Sequence, residues 1–136
     1  MQWTGAEDHG GFSKNIPWLP LCEDWKQSNV ETQQKDPGSL LHLYRALIRL
    51  RKEKTALQHG TWHPLADGGQ QVIVYQRIAE KEKITVALNF SNKSKTIELP
   101  DDGPRRLLFS TENRSEPLGT GRQVTLGRYE AVVMED

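Results

Sequence analysis

The chain has 136 residues, of which 35% are hydrophobic, and its 18 basic and 18 acidic side chains give a formal net charge of zero. This length suits one domain that buries about two-thirds of the surface of its unfolded chain, and balanced charge gives no long-range attraction to nucleic acid or anionic lipid. No apolar stretch approaches the roughly 20 residues that cross a bilayer, and the first residues lack the features of a signal peptide.

The first 35 residues show neither a helical nor a strand period. Trp3, Trp18 and Trp25 lie among the loop-forming residues Gly10, Gly11, Pro17 and Pro20. Glycine and proline at this density favour irregular structure. An irregular stretch of this length is uncommon in a compact domain and usually serves function or docking. We therefore predict a long loop here.

One amphipathic helix is predicted after this loop. Asp36 is a suitable helix cap, and Pro37 suits a first helical turn. The apolar face recurs at helical spacing and consists of Leu40, Leu43, Tyr44, Leu47, Ile48 and, at its end, Arg51. A single apolar face must find a partner or remain partly exposed.

From Gly60 onward the hydrophobic period is two, which is typical of strands. Short runs are predicted at 72–77, 84–90, 96–99, 106–109, 124–126 and 130–134. The segments Asp101-Asp102-Gly103-Pro104 and Leu118-Gly119-Thr120-Gly121 separate later runs with turn-forming residues. This spacing favours an antiparallel β-sandwich, so the predicted fold class is mainly β.

Metal and cofactor sites are not expected. His59 and His63 are four residues apart, but Gly60 and Pro64 argue against a helix that would bring both rings to one face. Cys22 is the single cysteine and cannot form an internal disulfide, which suits a reducing cytoplasm. We expect no metal and no cofactor, and we place the protein in the cytoplasm.

A series of motifs runs along nearly the whole chain. Its members include Met1-Gln2-Trp3, Gly11-Phe12-Ser13, Pro17-Trp18-Leu19-Pro20, Leu88-Asn89-Phe90-Ser91 and Gly127-Arg128-Tyr129-Glu130-Ala131. In this order the motifs resemble the C-terminal portion of α-glucosidases and oligo-1,6-glucosidases of the α-amylase clan (glycoside hydrolase family thirteen). The resemblance implies that residues 1–58 are the last loop and last helix of a TIM barrel. It also implies that residues 59–136 form a C-terminal β-sandwich with Greek-key connections.

Catalytic carboxylates are not expected in this chain. Retaining glycosidases use one carboxylate to attack the anomeric carbon and another to protonate the leaving oxygen. The resemblance places these groups on earlier barrel strands, and the Asn-His-Asp pattern of the third family acid does not occur here. A barrel needs roughly 250 residues. We assign no catalytic residue and expect an inactive support domain, whose parent enzyme cleaves α-glucosidic bonds in short oligosaccharides.

Three residues are candidates for sugar binding. In the family, this loop lies near the rim of the active-site cleft, so the resemblance implies that Gln2, Trp3 and Phe12 help shape an outer subsite. An aromatic ring suits the C–H face of a sugar. The competing interpretation is that Trp3 and Trp18 pack the loop against the barrel, which is the commoner role of such residues.

Two other classes of function remain open. An independent carbohydrate-binding module would also be a β-sandwich, with aromatic residues on one sheet face, but three of the four tryptophans precede the sandwich. An interaction domain would dock to a separate chain that carries the barrel. In either case the exposed helix face could also support self-association. The expected partners are thus the missing barrel and, at the subsite, an α-gluco-oligosaccharide, without nucleic acid or membrane.

Overall fold

A computed structural model describes residues 2–6, 8–65, 69–100, 103–114 and 121–136. The chain forms two compact units, Met1–Ile48 and Arg49–Asp136. The turn residues predicted at Asp101-Asp102 and Leu118-Gly119-Thr120 lie outside the described part. The sequence predicts a different boundary, with the barrel portion ending at residue 58 and the sandwich beginning at residue 59. This boundary between family domains stays a prediction.

The first unit contains short helical elements joined by loops. A 3₁₀ turn spans Asp8–Gly11, α1 spans Val30–Lys35, and α2 (Leu40–Glu53) begins in this unit and ends in the second. The prediction of irregular structure up to residue 35 missed α1. Asn29 starts this helix, because its side-chain oxygen accepts a hydrogen bond from the Thr32 amide at 3.0 Å.

The predicted start of α2 at Asp36 and Pro37 is wrong by three residues. Asp36 instead ends α1, and its Oδ1 atom accepts a hydrogen bond from the Gly38 amide at 2.9 Å. Because the carboxylate is used in this local turn, it does not cap α2. The helix begins immediately after Ser39, whose hydroxyl donates to the Gln33 carbonyl at 2.7 Å.

The second unit is an antiparallel β-sandwich, which confirms the predicted fold class. Its strands are β1 Thr61–Leu65, β2 Val72–Ala79, β3 Glu82–Asn89, β4 Lys95–Glu98, β5 Arg106–Ser110, β6 Gln123–Leu126 and β7 Ala131–Glu135. One sheet has the order β1-β2-β3-β7-β5, and the other pairs β4 with β6. The chain alternates between the sheets from β3 to β7, as Greek-key connections do.

The core of the sandwich lies between its two sheets. Alternation along the strands sends one set of apolar side chains inward. The buried cluster consists of Val72, Val74, Ala87, Ile97, Leu99, Val124, Leu126, Val132 and Met134. The β2–β3 hairpin turns at Glu80 and Lys81.

The other face of the five-stranded sheet is partly covered by helical residues. Helix α3 (Thr55–His59) was not predicted, and neither were the bounds of β1. Leu50, from the end of α2, and Ala56, from α3, form a second buried cluster with Ile84, Val86 and Val133. We call this face of the sheet the outer face. No helix in the described residues is long and apolar enough to cross a membrane.

Candidate functional site

Gln2 and Trp3 are held by backbone hydrogen bonds within the first unit. The Trp3 amide donates to the Gly10 carbonyl at 2.7 Å, and the Trp3 carbonyl accepts from the Glu31 amide at 2.9 Å. The Gln2 carbonyl accepts from the Val30 amide at 3.1 Å. Gly10 is buried at a φ of 68°, and a Cβ there would lie 3.3 Å from Gln2. Only glycine therefore fits without strain.

Gln2 lines a pocket of about 300 Å³ in the first unit. The other lining residues are Ser28, Asn29, Val30, Gln33, Leu40, Leu41 and Tyr44. Asn29 shapes the wall of the pocket, because its Nδ2 atom donates to the carbonyls of Trp25 and Lys26, both at 3.1 Å. Trp3 and Phe12 do not belong to this lining. The structure thus gives Gln2 a concave setting that it does not give the two aromatic residues.

Trp3 and Phe12 present aromatic surface to solvent. Their exposed fractions are 52% and 44%. Trp18 is 90% exposed and Ile16 is 86% exposed, so exposure alone does not distinguish the two candidate residues from their neighbours. The assignment of Gln2, Trp3 and Phe12 to a sugar subsite stays a prediction.

An acidic pair lies beside a pocket of about 320 Å³ in the second unit. Glu82 and Glu135 both contact the Lys54 ammonium, Glu82 at 3.4 Å. Glu82 also accepts a hydrogen bond from the Ala56 amide at 2.6 Å, near the start of α3. Arg106 binds the other side of Glu135. Because glycosidases use a pair of carboxylates, the charge state of this acidic pair matters.

The charges around Glu135 exclude a general-acid role. The hydrogen bond from Lys54, and then the one from Arg106, holds the pKa of Glu135 below its usual range. The same bond from Glu135 raises the pKa of Lys54. A glycosidase acid needs a raised pKa so that it carries a proton near neutral pH. Lys54, directly before α3, and Glu135, on β7, are therefore joined as an ion pair, and Glu135 does not suit the role of a proton donor.

The histidines form no metal site in the described part of the chain. The Nε2 atom of His63 lies 2.8 Å from the Thr61 hydroxyl on the same strand, and His59 lies at the end of α3. The described residues hold no group of three or more histidine, cysteine or acidic side chains placed to bind a metal ion.

Two of the motifs identified in the sequence have structural roles in the sandwich. Asn89 is buried and donates hydrogen bonds to the carbonyls of Lys93 and Gly127, at 2.8 and 2.6 Å. Glu130 is fully buried and accepts hydrogen bonds from Ser110 and from the Gly127 amide, at 2.7 and 2.6 Å. Sequence reasoning missed both roles. For Glu130, the available signal was an acidic residue that follows the turn at Gly127 and precedes the apolar residues of β7.

Two family models match successive parts of the chain. The catalytic domain of α-amylase matches residues 1–60, and the C-terminal domain of α-amylase SusG matches residues 72–133. The first match covers the loop, α2 and α3, and the second covers most of the sandwich. These matches agree with the order of motifs in the sequence.

Curated relatives include two oligo-1,6-glucosidases. The protein from Parageobacillus thermoglucosidasius is 35% identical over 101 residues, which cover 74% of this chain and 18% of the relative. The protein from Halalkalibacterium halodurans is 32% identical over 136 residues, which cover 98% of this chain and 24% of the relative. The chain therefore spans about a quarter or less of the length of these relatives.

Solved structures of similar fold include a trehalulose synthase and a phosphotrehalose hydrolase. The trehalulose synthase MutB from Pseudomonas mesoacidophila has a TM-score of 0.84 and 25% identity, with 98% of this chain and 24% of that chain covered. The trehalose-6-phosphate hydrolase from Bacillus licheniformis has a TM-score of 0.81 and 29% identity, with the same shares covered. These similarities confirm the relationship predicted from the motifs.

Proposed function

Because the chain is related to the oligo-1,6-glucosidase-like enzymes of the α-amylase family and corresponds to their C-terminal portion, we propose that it supports the catalytic barrel of an α-glucosidase. In this role it carries no catalytic carboxylate. The parent enzyme cleaves α-glucosidic bonds in short oligosaccharides by a retaining mechanism. Residues 1–58 complete the barrel, and residues 59–136 form the sandwich that packs beside it.

The observation that carries this proposal is the lack of a core in the first unit. Of its described residues, only Gly10, Asn29 and Ser39 are buried. Leu40, Tyr44 and Ile48, on the apolar face of α2, are each more than half exposed. An apolar surface of this extent marks an interaction site. Since the catalytic-domain model matches this region, the remainder of a barrel is the partner with the best support.

The isolated chain should not hydrolyse an aryl α-glucoside. The resemblance places the catalytic carboxylates on earlier barrel strands outside this chain, and Lys54 and Arg106 stabilise the charged form of Glu135, which does not suit a proton donor. The test uses purified chain from a host that lacks α-glucosidase. A chimera in which this chain replaces the matching region of the Halalkalibacterium halodurans enzyme should regain hydrolysis of isomaltotriose. Hydrolysis by the isolated chain would contradict the support role.

Gln2, Trp3 and Phe12 are proposed to border an outer sugar subsite of the assembled enzyme. Support comes from the rigid placement of the Trp3 backbone and from the pocket beside Gln2. A sugar would stack its C–H face on an aromatic ring, while the Gln2 amide offers a donor and an acceptor.

An NMR titration tests this subsite directly. We expect isomaltotriose to shift the amide signals of Gln2, Trp3 and Phe12 in a saturable way, with Kd in the millimolar range or weaker, on the order of 4 kcal/mol of binding free energy or less. Trp18 is the matched control, because it is more exposed and lies in the same unit. Equal shifts at Trp18, or no shifts at high concentrations of isomaltotriose, would contradict a sugar subsite at Gln2, Trp3 and Phe12.

The remaining proposals concern location and association. The exposed thiol of Cys22 suits a reducing compartment, so we keep the cytoplasm as the proposed location.

Without its barrel, the exposed face of α2 is proposed to support self-association of the chain, and sedimentation at high concentration distinguishes this from a monomer. An interaction domain that docks to a separate barrel chain would show the same exposed face.

A further inference from the structure

The loop that carries Gln2 and Trp3 is attached to the start of α1. The Gln2 carbonyl accepts a hydrogen bond from the Val30 amide at 3.1 Å, and the Trp3 carbonyl accepts from the Glu31 amide at 2.9 Å. These two amides belong to the first turn of α1, where backbone N–H groups have no partner within the helix. The position of both candidate sugar-binding residues therefore depends on what holds this turn.

Asn29 holds the first turn of α1 through its buried side chain, which is 2% exposed. Its Oδ1 atom accepts a hydrogen bond from the Thr32 amide at 3.0 Å and so caps the helix. Its Nδ2 atom donates to the carbonyls of Trp25 and Lys26, both at 3.1 Å. One side-chain amide thus joins α1 to the turn that precedes it.

The same loop also lies directly against that preceding turn. A Cβ at Gly5 would lie 2.3 Å from the Lys26 carbonyl oxygen and 3.0 Å from the Asn29 Nδ2 atom, so a larger residue would push the two segments apart. The Thr4 hydroxyl donates to the Glu31 carboxylate at 2.8 Å. The loop is therefore fixed at successive residues, and Asn29 lies at the centre of these contacts.

Asn29 and Gln2 line the same pocket, but their side chains differ in what they offer a ligand. Both N–H groups of the Asn29 amide are used within the protein, and its oxygen already accepts the capping bond. Such a group forms a fixed wall and has little hydrogen-bonding capacity left for a sugar. Its contribution to the pocket is therefore to hold neighbouring residues in place.

We propose that Asn29 is a positioning residue for sugar recognition, which acts through the first turn of α1 on Gln2 and Trp3 and does not itself contact the sugar. The inference rests on the proposed outer subsite and adds the residue that holds it. A small displacement of a binding group is enough to weaken its contacts with a substrate. Because the first unit lacks an apolar core, no packing restores the loop once the bonds of Asn29 are lost.

Steady-state kinetics of the chimera with the Halalkalibacterium halodurans barrel test this role. We expect Asn29→Ala to raise KM for isomaltotriose by about tenfold and to lower kcat less, because the reacting groups lie elsewhere. An aryl α-glucoside is too short to reach an outer subsite, so its kcat/KM should fall by at least about threefold less than that of isomaltotriose. Gln27→Ala is the matched control, since it shortens an exposed amide side chain just before Asn29 and should change neither substrate.

Asn29→Asp separates the two bonds of the side chain. The carboxylate still caps α1, but it has no N–H to donate to the carbonyls of Trp25 and Lys26. Its KM for isomaltotriose should lie between those of the unchanged chimera and Asn29→Ala. This partial rescue by the conservative variant follows from positioning by both bonds, whereas equal KM values for the two variants would leave the capping bond without a role.

Hydrogen exchange in the isolated chain provides a measurement that does not need the barrel. The Val30 and Glu31 amides bind the carbonyls of Gln2 and Trp3, so they are protected while the loop is held. We expect both amides to exchange at least about fivefold faster in Asn29→Ala, as the loop separates from α1. Gln27→Ala should leave both rates unchanged.

The outcomes distinguish this inference from the proposed subsite. If Gln2→Ala and Trp3→Ala both leave KM for isomaltotriose unchanged, the subsite is wrong and the inference is lost with it. If either raises KM while Asn29→Ala does not, the subsite stands and the positioning role is overturned. Equal losses on isomaltotriose and the aryl α-glucoside would make Asn29 a structural residue only. Where the chimera does not fold, unchanged exchange at Val30 and Glu31 overturns the inference and faster exchange supports it.

Discussion

Replacing Glu130 by alanine should lower the free energy of unfolding of the chain by about 3 kcal/mol, because the carboxylate is fully buried and joins several elements. Its Oε1 atom accepts from the Ser110 hydroxyl at 2.7 Å, and its Oε2 atom accepts from Arg114 and from the Gly127 amide, at 2.5 and 2.6 Å. The substitution leaves all three donors without this partner. Arg114 retains 31% exposure, so water solvates part of its charge and the loss stays near the lower limit for buried pairs.

Urea unfolding followed by circular dichroism measures this loss. Small domains are stable by only about 5–15 kcal/mol, so the midpoint should fall clearly while the slope stays constant. Glu130→Gln keeps the shape and one carbonyl oxygen and should cost less than alanine. Glu98→Ala is the matched control, since the Glu98 side chain is 60% exposed in its ion pair with Arg122 and should contribute under about 1 kcal/mol. Equal losses for Glu98→Ala and Glu130→Ala would contradict the buried role of Glu130.

The strands of the sandwich could be predicted from the sequence because each face of a strand has its own polarity. In β6, the buried Val124 and Leu126 alternate with the exposed Gln123 and Thr125. The pattern is local, so it needs no knowledge of the partner strand. The pairing of β7 between β3 and β5 depends on contacts distant in sequence, which a period of two cannot specify.

The short helices could not be predicted for a different reason. α1 has six residues and α3 has five, which is less than two helical turns, so no apolar period can develop. Each depends on a local or distant hydrogen bond instead. Asn29 caps α1, and Glu82, from β3, accepts a hydrogen bond from the Ala56 amide in α3. The second of these bonds joins residues 26 positions apart.

The candidate subsite illustrates a further limit of the sequence. Motif order was sufficient to predict the relationship of the segment that contains Gln2, Trp3 and Phe12, and the match of residues 1–60 to the α-amylase catalytic domain agrees with it. A motif does not specify the concave surface that a sugar needs, and the structure gives such a setting to Gln2 but not to Trp3 or Phe12. By contrast, Glu130 and Asn89 act within one unit, so the structure alone explains why a polar residue is present in each motif.

Asn89 should be the second large contributor to the stability of the sandwich, with a loss of about 2–3 kcal/mol for Asn89→Ala. Its side chain makes four hydrogen bonds. It donates to the carbonyls of Lys93 and Gly127, and it accepts from the amide and hydroxyl of Ser91, at 2.9 and 2.7 Å. Alanine removes all four bonds, and the Ser91 hydroxyl keeps, as a donor, only its 2.9 Å bond to the Lys93 carbonyl. By contrast, Asn92→Ala changes an exposed neighbour and should stay within about 0.5 kcal/mol.

Asn89→Asp separates the donor role of the amide from its acceptor role. The carboxylate can still accept from Ser91, but it faces the carbonyl oxygens of Lys93 and Gly127 without a proton to donate. We expect a loss at neutral pH at least as large as that of alanine, and a partial recovery as acid protonates the new carboxyl. Glu130 holds the amide of the same Gly127, so a double-mutant cycle with Glu130→Ala should show coupling of about 0.5–3 kcal/mol. Strict additivity would mean that the two motifs stabilise the sandwich separately and that Gly127 does not join them.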